Sequence, residues 1–135
     1  MTPIQQKLVY SYVLKSIKKN KNLAPLLGDL KDKTYLVSGG TRGIGLAIAK
    51  KISSLGGNVA IFGKTSSPHP KLEGTVHTAA DEIKACNPHG SDNAMGIVCD
   101  IRNNDDIDSG VSEVVDKFGG LDGVILNASA LCLRT

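Results

Sequence analysis

The chain has 135 residues, 41% of them hydrophobic, and a formal net charge of +3. That length can bury one domain-sized core without disulfide or metal staples. No apolar run approaches the roughly 20 residues of a membrane-spanning helix, so a transmembrane helix is excluded.

The basicity belongs to one end. Residues 1–28 carry Lys7, Lys15, Lys18, Lys19 and Lys21 and no acid, whereas from Asp29 onward eleven Lys and Arg face thirteen Asp and Glu. Nucleic-acid binding calls for a basic face with interleaved aromatics, and residues 30–135 are slightly acidic with only Tyr35, Phe62 and Phe118 as aromatics. No nucleic-acid partner is expected. Cys86, Cys99 and Cys132 lack metal-ligand or C-x-x-C spacing and read as free thiols of a reducing, intracellular compartment. Cys99 and Cys132 sit in or beside apolar runs, as small core residues do.

In chain order, "IQQKLVYSYVLKSIKKNKN" sets Ile4, Leu8, Tyr12 and Val13 near one helical face, with lysines late, where they suit the helix dipole. It reads as a helix docked on the domain or on a partner; the alternatives are a targeting or membrane-surface helix and a disordered segment. Pro25 and Gly28 then mark a linker, so residues 1–29 form a basic helical extension and residues 30–135 the domain.

From "TYLVSG", a buried strand, the pattern alternates. "GIGLAIAKKISSLGG" predicts a helix with Ile44, Ala47, Ile48 and Ile52 inward, and "NVAIFG" a second strand. After a Ser- and Pro-rich loop, "VHTAADEIKAC" predicts a helix burying Val76, Ala79, Ala80 and Ile83. "AMGIVCD" is a third strand, "NDDIDSGVSEVVDKFGG" a third helix whose Asn104, Asp105 and Asp106 suit a capped first turn, and "LDGVILNAS" a fourth strand. Alternating strands and helices of this kind predict an α/β fold of Rossmann type, a doubly wound parallel sheet with right-handed crossovers.

The turn "SGGTRGIG" leaves the first strand at Ser38 and opens the helix at Gly43 to Gly45. Gly39 permits the tight turn, Gly43 lets a pyrophosphate approach the backbone, and Gly45 allows helix to pack closely on strand. The helix N-terminus adds unpaired N–H groups and positive dipole. A dinucleotide is therefore the expected ligand, because the glycines follow a strand and open a β-α-β unit.

"LVSGGTRGIGLAIA" resembles the cofactor signature T-G-x-x-x-G-x-G of the short-chain dehydrogenase/reductase family, with Ser38 where Thr is usual. Asp100 in "VCDI" resembles the family's adenine-contacting Asp, with Ile101 beside that ring. In "GGLDGVILNASA", Leu126, Asn127, Ala128 and Ser129 stand where the family has N-N-A-G, and only the second Asn and the Ala match. The loop "GKTSSPHPKLEGTVHTAADEI", together with "NAS", resembles the hydroxysteroid dehydrogenase-like branch, and the likeness runs from Leu30 to Leu133. The cofactor-binding set it implies is Ser38, Gly39, Thr41, Arg42, Gly43, Ile44, Gly45, Lys64, Asp100, Ile101, Asn127 and Ala128. The branch is associated with mitochondria and peroxisomes; a cytoplasmic location is equally open.

An acid at the end of the second strand grips the 2′-hydroxyl of NAD(H), whereas the 2′-phosphate of NADP(H) calls for positive charge. Here Gly63 and Lys64 hold that position, Arg42 can reach it with a planar fork, and Thr65 and Ser66 add hydroxyls, which favours NADP(H) over NAD(H). His69, His77 and His89 show no ligand spacing, so no metal is expected.

Hydride transfer also needs a proton donor, which the resemblance assigns to a Ser and a Tyr-x-x-x-Lys pair beyond the fourth strand. The residues four positions after Tyr10, Tyr12 and Tyr35 are Leu14, Ser16 and Gly39, so no such pair occurs and no catalytic residue is expected in this chain. Two functions stay open. One is an NADP-dependent oxidoreductase whose catalytic half lies outside this stretch. The other is a non-catalytic structural or nucleotide-sensing subunit. Both expect a truncated sheet whose fourth strand lies at an open edge, available to another protein chain.

Overall fold

The computed structural model describes residues 30–68, 70–71, 74–90 and 92–129. The expected N-terminal helix, His69 and Cys132 lie outside the described residues. Strands β1 (Thr34–Ser38), β2 (Asn58–Gly63), β3 (Ala94–Val98) and β4 (Gly123–Leu126) alternate with helices α1 (Gly43–Ser54), α2 (Val76–Lys84) and α3 (Asn104–Phe118). The sheet is wholly parallel in the order β3-β2-β1-β4, with Val37 opposite Ile61 on one side and Ile125 on the other. The chain therefore reverses its direction of winding between β3 and β4, and this Rossmann-like sheet is the expected α/β architecture.

Alternation along the strands sends side chains to two cores. Val37, Val59, Ile61 and Ala94 meet Ala49 and Ile52 of α1 and Ala79 and Ile83 of α2. Leu36, Ala60, Phe62 and Ile97 meet Val114 of α3, with Cys99 among them. Strands covered on both faces read as continuous apolar runs, which is why "YLV" and "VAIF" show no polar alternation. Where helix approaches sheet most closely, glycine makes room: a Cβ at Gly110 of α3 would stand 2.7 Å from Phe62 Cζ.

Each helix start follows its sequence differently. Thr75 caps α2, its hydroxyl accepting from Thr78 N–H while the Thr78 hydroxyl accepts from Thr75 N–H. α3 starts at Asn104, as its sequence predicts, and is capped by Asn103 through a 3.0 Å bond from Asp105 N–H. α2 buries Val76, Ala79, Ala80 and Ile83, as the periodicity predicts.

α1 departs from expectation: it buries Gly45, Ala49, Ile52 and Ser53, whereas Ile44 and Ala47 are half-buried. Gly45 packs directly on the Gly39 carbonyl, and Ile44, beside it, lines a cleft.

Among the described residues β4 pairs only with β1, leaving Val124 50% and Leu126 86% exposed. No described helix is long and apolar enough to cross a membrane.

Candidate functional site

At the carboxyl ends of β1, β2 and β3, where the winding reverses, the loops enclose a cleft of about 770 Å³. Ligands of open α/β sheets bind at this place in the topology. All twelve residues expected to hold the cofactor line it except Ser38 and Gly45, which stand behind its wall.

The glycine turn forms one side. Gly39 has φ +69°, and its N–H bonds Phe62 O at 2.9 Å, which pins the turn to the end of β2. Gly43 also has positive φ, +59°, and a Cβ there would meet nothing within 4 Å. α1 begins at Gly43 without a side-chain cap, unlike α2 and α3, and without an acid in its first turn, where α3 has Asp105 and Asp106. Its first N–H groups are thus left for a ligand, and the backbone at Gly43 leaves room for close approach.

Ser38 and Asn127 tie this turn to the end of β4. The Ser38 hydroxyl accepts from the N–H groups of Asn127 and Ala128, each at 3.1 Å, while Asn127 Nδ2 donates to Gly39 O at 3.1 Å. Ser38 is buried. Its part is to hold the loop carrying Asn127 and Ala128 against the glycines.

The opposite side carries charge. Arg42 Nη2 reaches Thr65 Oγ1 at 3.3 Å and Gly74 O at 3.5 Å, joining the glycine turn to the loop after β2. At the end of β2 a Cβ on Gly63 would stand 2.5 Å from Thr41 Cγ2 and 3.0 Å from Val76 Cγ1, so no side chain, acidic or otherwise, fits that position. Lys64 Nζ lies 3.2 Å from Asp100 Oδ2.

Asp100 is the most heavily engaged group in the cleft. Arg102 meets it from Nε at 3.0 and 3.2 Å, from Nη2 at 2.6 Å and from its backbone N–H at 3.0 Å. The Asp100 N–H in turn donates to Asp106 Oδ2 at 3.0 Å, fixing the loop to the first turn of α3. Hydrogen bonds from the Arg102 side chain, then from its backbone, hold the Asp100 carboxyl far below the usual carboxylate range. Cys99, beneath them, is buried; burial first, then the charges of Asp106 and Asp100, push its thiol up, which keeps it protonated and unreactive.

Arg102, Cys99 and Phe62 line the cleft without having been expected there. For Arg102 a signal existed, since an Asp followed two residues later by Arg in a post-strand turn can form a planar clasp. Nothing local distinguishes Cys99 or Phe62 from ordinary core residues.

Residues 33–134 match the family model described as short chain dehydrogenase. The chain belongs to the short chain dehydrogenase family. Hydroxysteroid dehydrogenase-like protein 2 of Bos taurus is 43% identical over 111 residues, 82% of this chain and 26% of the relative. A short chain dehydrogenase structure from Mycobacterium thermoresistibile is 47% identical with a TM-score of 0.70, covering 78% of this chain and 36% of that one. A metagenomic short-chain oxidoreductase in complex with NADP is 28% identical with a TM-score of 0.63, covering 76% of this chain and 42% of that one. The chain thus spans about a quarter of the length of the curated relative and 36% of the first of these structures. Nicotinamide dinucleotides are the cofactors of this short chain dehydrogenase family, and its oxidoreductase-like domain is the one found here.

Proposed function

We propose that this chain forms the NADP(H)-binding part of a short-chain oxidoreductase and holds the adenosine end of the cofactor in the cleft. The observation that carries the reading is the charge at the end of β2: Arg42, Lys64 and Arg102 face a single carboxylate, Asp100, and Gly63 leaves no space for the acid that would select NAD(H). The cleft also suits the group in shape, through the open cradle at Gly43 and the uncapped start of α1.

In this reading the first N–H groups of α1 bind the pyrophosphate. Arg42 and Lys64 meet the 2′-phosphate, with the Nε and Nη1 donors of Arg42 free of protein partners among the described residues. Asp100 and Ile101 border the adenine. Asn127 and Ala128, held by Ser38, line the path toward the nicotinamide. When bound, NADP(H) supplies or accepts a hydride. The proton donor is not a residue of this chain, whose tyrosines lack a Lys four positions on. The NADP complex of the metagenomic relative supports this assignment by likeness.

Binding of 2′-phospho-AMP and AMP to the purified chain, measured by calorimetry, tests it. Tighter binding of the 2′-phosphorylated probe is expected, and absence of binding at millimolar ligand sinks the reading.

A second reading draws on the exposed Val124 and Leu126 of β4: the chain is a structural or nucleotide-sensing subunit whose open edge docks on another protein. Restoration of NADPH oxidation by an added fragment bearing the Ser and Tyr-x-x-x-Lys residues separates the two, since a purely structural subunit gains no activity. A reducing compartment suits both, given that Cys86 and Cys99 are free thiols.

A further inference from the structure

We infer that Arg102 is a specificity-determining positioning residue: by clasping Asp100 it leaves Lys64 available to a 2′-phosphate and so sets the preference for NADP(H) over NAD(H). The inference rests on the cofactor reading above. Two cations converge on one carboxylate, and they do so unequally. Arg102 engages both Asp100 oxygens through its side chain and adds its backbone N–H, whereas Lys64 touches Oδ2 alone, at 3.2 Å, from a side chain 61% exposed. A planar fork held at two atoms is the fixed partner, and a single ammonium on a flexible stem is the exchangeable one.

The position of the carboxylate follows from the backbone as well: Cys99 N–H bonds Gly63 O at 2.9 Å, so Asp100 and Lys64 leave adjacent strand ends, and the Lys64 ammonium lies within one ion-pair length of the carboxylate, at the end of β2 where the phosphate is to be read. Left unneutralised there, Asp100 would repel a 2′-phosphate, compete with it for Lys64 and offer a ribose hydroxyl the acceptor that Gly63 denies it. Arg102 removes all three effects without touching the phosphate itself. An acid is thereby tolerated in a site built for a dianion, next to an adenine edge that Asp100 and Ile101 line.

The test is a double-mutant cycle on the full chain, with 2′-phospho-AMP and AMP as probes and the ratio of their affinities as the readout. Arg102→Gln is expected to lower that ratio about three- to tenfold, the scale of one charge-assisted contact at a part-exposed site. Arg102→Gln combined with Asp100→Asn is expected to restore it to within about twofold of the parent, because the carboxylate that needed neutralising is gone. Arg102→Lys, which keeps the charge and loses the fork, should fall between. Arg102 lies on the surface, so folding of these variants, checked by circular dichroism, is expected to be unchanged.

A ratio unmoved by Arg102→Gln, or affinities for both probes falling by one factor without rescue in the double variant, overturns the inference while leaving the cofactor reading intact. A parent chain that binds both probes equally overturns the NADP(H) reading and this inference with it.

Discussion

Gly45→Ala tests whether the close seat of α1 on the glycine turn is a requirement of the fold. Two effects oppose each other. Alanine gains about 1 kcal/mol over glycine as a helix residue. Against this, a Cβ at position 45 would collide with the Gly39 carbonyl oxygen and lie 2.7 Å from Asn127 Nδ2 and 2.9 Å from the Gly39 carbonyl carbon. The amide can swing away, at the loss of its hydrogen bond to Gly39 O, worth about 1 kcal/mol. The carbonyl cannot, because Gly39 and Gly40 are both bonded to Phe62 O. Forcing a methyl into such a contact costs about 1–3 kcal/mol, so the net destabilisation is about 1–3 kcal/mol. For a domain of this size that lowers the melting temperature by roughly 5–15 °C. Thermal unfolding followed at 222 nm measures it, with urea titration to check that the transition stays cooperative. A melting temperature equal to or above that of the parent would refute the reasoning, since it would mean that helix propensity outweighs the collision and that the seat of α1 is adjustable.

Two further outcomes follow from the same geometry. Ser38→Ala removes the acceptor shared by the Asn127 and Ala128 N–H groups; a loss of about 1–3 kcal/mol is expected, with hydrogen exchange quickened at those two amides and unchanged in α2, and uniform exchange would refute the local brace. In alkylation with iodoacetamide at pH 8, Cys86, which is half-buried, should be labelled before Cys99, which is 1% exposed with its thiol pushed up. Peptide mapping that finds Cys99 labelled first in the native chain would contradict the burial argument.

Element order and sheet type were legible because they rest on local signals. Runs such as "VAIF" bounded by glycines mark buried strands, and "VHTAADEIKAC" carries its core face in its spacing. The glycine turn was legible because its setting between strand and helix is also local. What escaped depends on residues far apart in sequence. The burial of Gly45 depends on Gly39 and on Asn127, the latter more than eighty positions away in the chain. The clasp of Arg102 on Asp100 is close in sequence, but its importance comes from Lys64 on another loop. The Ser38 hydroxyl accepts from the N–H groups of Asn127 and Ala128 after β4, a pairing that no pattern along β1 announces.

The Ser38 brace has a mechanical consequence. One hydroxyl group ties the chain leaving β4 to the strand that feeds the glycine turn. Asn127, the residue after the exposed Leu126, donates from its side chain to the Gly39 carbonyl, so the exposed end of β4 and the glycine turn are neighbours through one residue. On the reading proposed for the cleft, a neighbour added along that edge would sit one residue from a group that holds the nucleotide-binding turn, outside the cleft itself.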